Sequence, residues 1–145
     1  MKTILLDFDG VMVKNQPWKK IELHEDGFYN FDESAIQNLK WIIQETNCDI
    51  TLTTSHKTKY TNKEWCDIFK KRGINTNIKQ VEEKENRKEE ILNWIKYNKS
   101  LNYVILDDDK TLNELNEIKD KFILIESGLG LTNEKAKETI KILKR

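Results

Sequence analysis

Thr3-Ile4-Leu5-Leu6-Asp7-Phe8-Asp9-Gly10 is a short apolar run that ends on two carboxylates and a glycine. An uninterrupted apolar stretch bounded by turn signals marks a strand covered on both faces, as in a parallel sheet. Asp7 and Asp9 are two apart and share a face on an extended strand, and one further turn swings the second carboxylate around. Gly10 suits a sharp turn and leaves room for a ligand. Tyr103-Val104-Ile105-Leu106 repeats the pattern and delivers Asp107-Asp108-Asp109. Carboxylates held this close are tolerable only with a cation or proton between them, and Mg²⁺ prefers such oxygen ligands. One carboxylate can then hold the metal and attack while another handles a proton.

Between these two segments, strand-like and helix-like patterns alternate. Residues 11–31 are irregular and contain Pro17, the only proline, and Trp18. Asp32 or Ser34 can cap a helix carrying Ile36, Leu39, Ile42 and Ile43, which ends near Asn47. Asp49 to Thr53 reads as a second strand with Thr54-Ser55-His56-Lys57 as its exit loop. A helix from about Asn62, with Trp65, Ile68 and Phe69 on one face, stops at Gly73. A third short strand falls within residues 74–81, and a helix with Ile91, Leu92, Trp94 and Ile95 begins near Arg87. Beyond the second acidic cluster, Thr111 opens a short helix with Leu112, Leu115 and Ile118. Phe122 to Ile125 makes a fifth strand, and Thr132 or Asn133 caps a terminal helix. Such alternation predicts a three-layer, Rossmann-like α/β fold with a mainly parallel five-stranded sheet, folded as a single domain over residues 1–145. Sites in these sheets lie beyond the carboxyl ends of the strands, which puts both acidic clusters and the hydroxyls at 53–55 on one rim.

The chain carries 25 basic and 25 acidic residues, so no global field draws it to nucleic acid or an anionic membrane. Cys48 and Cys66 stand in no metal-ligand spacing, and no signal sequence precedes them, which fits reduced thiols in the cytoplasm. No apolar run reaches membrane-spanning length.

With DxD after the first strand, hydroxyls after the second, a cation early in a later helix and an acidic pair after the fourth, the chain resembles the haloacid dehalogenase (HAD) superfamily. The resemblance implies a Mg²⁺-dependent phosphatase in which Asp7 attacks phosphorus and forms an aspartyl-phosphate. Asp9 would protonate the leaving oxygen, then serve as base for water. Asp7, the Asp9 backbone carbonyl and Asp108 would hold the metal, with Asp107 as a close partner, and Asp109 would be a solvated turn residue or helix cap. Thr54 would donate to the phosphoryl group, with Thr53 and Ser55 as alternatives because neighbouring residues on a strand alternate faces. The family's placement of its cation ahead of the first buried aliphatic of the helix selects Arg87, with Lys88 and Lys84 as alternatives.

Residues 11–31 and 74–101 leave no room for a full cap domain. The resemblance therefore implies an open site for bulky phosphates such as RNA or DNA ends. DFDGV, TTSHK, RKEEILNWI and LGLTNEKAKETIKIL are similar to segments of small HAD domains associated with RNA-repair proteins, although His56 and Lys57 stand where those often have Trp and Arg. Residues 57–72 carry an excess of lysine and arginine that reads first as a solvated helix face. Trp18 reads first as a residue packing its loop onto the domain, and second as a stacking surface at the pocket mouth. Two rival readings are a receiver-like phosphoacceptor and a non-catalytic metal- and phosphate-binding module. A receiver places its acceptor Asp after strand three, where this chain has none, and Asp9 serves turnover better than metal retention.

Overall fold

The computed structural model describes residues 1–145. Five strands form one all-parallel sheet in the order β3-β2-β1-β4-β5: β1 (Lys2–Leu6), β2 (Asp49–Leu52), β3 (Ile78–Gln80), β4 (Asn102–Asp107) and β5 (Phe122–Leu124). Helices α1 (Glu33–Thr46), α2 (Asn62–Lys71), α3 (Arg87–Tyr97) and α4 (Asn133–Leu143) complete a doubly wound, HAD-type layering with no cap domain.

Strand alternation divides the core. Ile4 and Leu6 point into the larger cluster, where α1, α2 and α4 contribute Leu39, Ile42, Trp65, Phe69, Ala136 and Leu143. Leu5 points the other way, to Ile91 of α3 with Ile105, Leu112 and Ile118. Because β1 is paired on both edges and covered on both faces, Ile4, Leu5 and Leu6 are fully buried, which is why this part of the strand is apolar without interruption. The chain leaves β1 in opposite directions along the sheet, first toward β2 and β3 and later to β4. The ends of β1 and β4 therefore flank a topological switch point.

Local signals set the helix ends. Thr61 and Glu64 form a reciprocal capping box at the start of α2, and Gly73 follows its end at φ 83°. Asn86 and Thr132 cap α3 and α4 through their side chains. Asp32 occupies the cap position of α1 without capping it, since its carboxylate accepts instead from the Lys14 backbone N–H at 2.7 Å. Asp109 caps the turn after β4 by accepting from the Thr111 N–H.

Three expectations change. The helix expected at 111–118 is two 3₁₀ turns, Lys110–Glu114 and Asn116–Ile118. Leu112, Leu115 and Ile118 recur every third residue, the 3₁₀ period, and this spacing never steps by four as an α-helical face does. The segment at 11–31 is less irregular than expected: Leu23 and Tyr29 form an antiparallel bridge, closed by hydrogen bonds between His24 and Phe28 and between Glu22 and Asn30. Trp18 does not pack the loop down. It is 82% exposed, because Gln16-Pro17-Trp18-Lys19 is a turn closed by Lys19 N–H to Gln16 C=O at 2.9 Å, and Trp18 sits at its tip.

Candidate active site

Phe8 fixes the orientation of the first acidic pair. Its ring is fully buried among Phe28, Phe31, Trp65 and Phe69, so Asp7 must face the opposite side of the sheet, toward α3. Beyond Asp9 the chain doubles back at once, with Phe8 C=O accepting from the N–H groups of Val11 and Met12. Gly10 makes this possible at φ 84°, and it is also a close approach. A Cβ there would overlap Oδ2 of Asp108 and lie 2.8 Å from its Cγ.

Carboxylate oxygens of Asp7, Asp107 and Asp108 lie within 4.8 Å of one another. Asp7 and Asp107 are buried and Asp108 is half-buried. The Arg87 guanidinium reaches in from the first turn of α3, with Nη1 2.7 Å from Asp107 Oδ2 and 3.4 Å from Asp7 Oδ2. Asp107 uses its other oxygen to accept from the Asp109 N–H at 3.0 Å. Asp107 is thereby the most committed of the three, and Asp7 and Asp108 are the freer carboxylates. Burial, with the Asp107 charge second, pushes the Asp7 carboxyl up to about 8, against the opposing pull of Arg87. Burial also raises Asp108, and the Arg87 guanidinium is held further into its charged form by Asp107 and Asp7. With all three carboxylates ionised, the single guanidinium leaves a surplus of two negative charges among hard oxygen donors. A divalent cation fits that surplus and that donor set.

Asp9 stands apart from this cluster. Its side chain is half exposed, and its Oδ2 lies 2.9 Å from His56 Nε2. The Tyr29 hydroxyl, pushed up by burial and then by the Asp9 charge, faces the same carboxylate, and His56 packs in turn against the rings of Phe28 and Tyr29. The acid of this pair is thus held at the rim by groups from two separate loops, neither of which the DFDG motif could announce. His56 was visible only as a histidine in the β2 exit loop, and Tyr29 gave no signal.

Of the three hydroxyls after β2, Ser55 is exposed, whereas Thr53 and Thr54 are fully buried. The Thr54 hydroxyl accepts from the His56 N–H at 3.3 Å. Thr53 continues the β2 ladder next to Asp7, donating its N–H to Leu6 C=O, and its hydroxyl is the one buried side-chain polar atom without a partner. Of the candidate cations, Arg87 alone enters the cluster. Lys88 pairs with Glu114, and Lys84 pairs with Glu82. Lys57 is buried and paired with Glu90, its Nζ 2.8 Å from Glu90 Oε2. Arg72, counted in the basic stretch 57–72, is also buried, forking onto Asp26 at 2.7 and 2.9 Å.

A doubly wound sheet with acidic residues at the carboxyl ends of β1 and β4 defines a HAD-type fold. A family model described as the HAD domain in Swiss Army Knife RNA repair proteins matches residues 3–136, and the chain belongs to that family. No curated protein and no solved structure matches it. Membership places the chain in a superfamily of phosphatase-type hydrolases. No helix is long and apolar enough to cross a membrane.

Proposed function

We propose that this protein is a Mg²⁺-dependent phosphomonoesterase that works through a phosphorylated Asp7, with phosphorylated nucleic-acid ends as its substrate class. The observation that carries the reading is the division of labour among the carboxylates. Asp7 sits with Asp107, Asp108 and Arg87 in a buried cluster, while Asp9 stands outside it with partners of its own.

Asp7, Asp108 and the Asp9 backbone carbonyl would hold Mg²⁺, with Asp107 behind them. When bound, the ion supplies charge neutralisation for the phosphoryl oxygens and keeps Asp7 ionised. An Asp7 carboxylate oxygen attacks phosphorus, the bond to the ester oxygen breaks, and the Asp9 carboxyl gives its proton to the departing alcohol. A water molecule then attacks the phosphoaspartate while Asp9 takes up its proton, which releases inorganic phosphate and restores Asp7. Arg87 offsets the charge shared by Asp7 and Asp107, so that a phosphate dianion meets less repulsion. Thr53 is the preferred hydroxyl donor to the phosphoryl group. The β1–β2 register, continued one residue past Leu6 and Leu52, sets Thr53 opposite Asp7, and a buried hydroxyl without a partner costs roughly 1–3 kcal/mol that a bound phosphoryl oxygen would recover. Thr54 keeps an O–H to donate and is the second choice.

The test is turnover of an aryl phosphate and of 3′- and 5′-phosphorylated oligonucleotides with Mg²⁺. Wild-type protein should hydrolyse them and Asp7→Asn should not, with unchanged circular dichroism. Activity retained in Asp7→Asn would sink the nucleophile assignment. Thr53→Val should cost more turnover than Thr54→Val.

A further inference from the structure

A cavity of about 290 Å³ adjoins the carboxylates, with Asp9, Gly10 and Asp108 on one side and Lys14, Gln16 and Lys19 on the other. Its outer wall is the loop that carries Trp18, the most exposed aromatic side chain of the protein at 82%. A tryptophan this exposed forgoes the burial that its large apolar surface favours, which makes an unpartnered indole an unusual occupant of a turn tip. The turn is held in place. Lys14 N–H donates to Asp32 and Asn15 N–H donates to Ser127 C=O, both at 2.7 Å, and the Lys19–Gln16 hydrogen bond closes it. From Val11 to Ile21 the chain carries Lys14, Lys19 and Lys20 and no acidic residue. A cationic strip topped by an indole therefore borders an anionic centre, within a chain of zero net charge.

We propose that the loop 14–20 binds a single-stranded polynucleotide whose terminal phosphate lies at Asp7, with an adjoining base stacked on Trp18 and the next phosphodiester neutralised by Lys14 and Lys19. The placement of the terminal phosphate rests on the phosphatase reading; the stacking and charge do not. A lone indole offers one face to one base, which suits an unpaired strand better than a duplex whose bases are already stacked. Positive charge at the loop matches the second phosphate of the ligand as the acidic centre matches a metal and the first.

The probe is a fluorescent five-nucleotide RNA carrying a terminal phosphate, in 3′ and 5′ versions. It is titrated with Mg²⁺ present into Asp7→Asn protein, so that the RNA is not consumed. Base–aromatic stacking is worth roughly 1–3 kcal/mol, so Trp18→Ala should weaken RNA binding about fivefold or more, and Trp18→Phe should restore most of it. Lys19→Gln should reduce the slope of log affinity against log salt by about 0.7, the value for one phosphate contact on a single strand. Equal RNA affinity with and without Trp18 would overturn the proposal, as would equally tight binding of a phosphopeptide of the same length. Aryl phosphate turnover by the wild type separates the two readings. Turnover without a Trp18 effect on RNA overturns this proposal alone, and a Trp18 effect without turnover supports the strand on loop 14–20 while removing the phosphatase reading and, with it, the placement of the terminal phosphate at Asp7.

Discussion

Glu90→Gln is the most informative single change outside the carboxylate cluster. Lys57 and Glu90 form a buried ion pair at 2.8 Å, with side chains 3% and 6% exposed. The Lys57 carbonyl also accepts from Trp65 Nε1 at 2.9 Å. The β2 exit loop, which carries Thr53, Thr54 and His56, is thus gripped by α2 through Trp65 and by α3 through Glu90. Glutamine keeps a carbonyl oxygen for the Lys84 N–H that Glu90 now accepts at 3.1 Å, so the substitution removes charge and little else. Removing one partner of a buried pair costs about 3–5 kcal/mol, because the ammonium left behind is desolvated and unpaired. For a chain of this length each kcal/mol lowers Tm by roughly 2–4 °C, which predicts a drop of about 6–20 °C. The control is Glu45→Gln, whose pair with Lys144 is about half exposed on both sides and should cost roughly 1 kcal/mol or less. The double variant Lys57→Met/Glu90→Leu should recover most of the loss, since an apolar pair of similar volume avoids the stranded charge. Thermal melts of the four proteins decide it. A Glu90→Gln drop no larger than that of Glu45→Gln would refute the claim that this pair is desolvated and clamps the loop.

Two further outcomes test the carboxylate cluster. Gly10→Ala places a methyl against Asp108 and forces φ 84° on a residue with a side chain, so it should lose about 1–2 kcal/mol of stability and also most of the Mg²⁺-induced rise in Tm; an unchanged metal response would show that Asp108 is not needed for the ion. With Asp7 raised from 3.8 to about 8, the metal-free fold binds more protons than the unfolded chain, so its stability should fall as pH rises through that window, and Mg²⁺, which must displace this proton, should raise Tm more at pH 8 than at pH 6, a trend that Asp7→Asn should flatten.

Much of this fold is legible in the sequence because it follows from local pattern. Uninterrupted apolar runs at 3–6 and 103–106 announce buried parallel strands, and acidic residues at their ends announce the rim. Arg87 is reached through the family resemblance, which places the cation ahead of the first buried aliphatic of α3, and Ile91 is that residue. What escapes is depth. In Arg87-Lys88-Glu89-Glu90 every residue looks like a solvated charge, yet Arg87 reaches into the cluster and Glu90 is buried beneath Lys57. A charge becomes buried through a partner from another element, and no local period records that partner. Asp9 shows the same limit, since His56 comes from a loop beyond α1 and β2, and Tyr29 from the far end of the segment that follows Asp9. Trp18 fails in the opposite sense. Its apolar character suggests packing, and only the turn geometry turns it outward.

The strand order has a consequence for how the protein matures. β1, β2 and β3 with α1 and α2 form a contiguous N-terminal half, but one edge of β1 stays unpaired until β4 docks against it. That same docking event brings Asp107 and Asp108 to Asp7 and opposes the repulsion among them with Arg87 from α3. A chain halted before β4 would therefore expose a bare apolar strand edge and lack the three-carboxylate cluster. With the cation bound as proposed, ion uptake would report that β4 has docked and the sheet is complete.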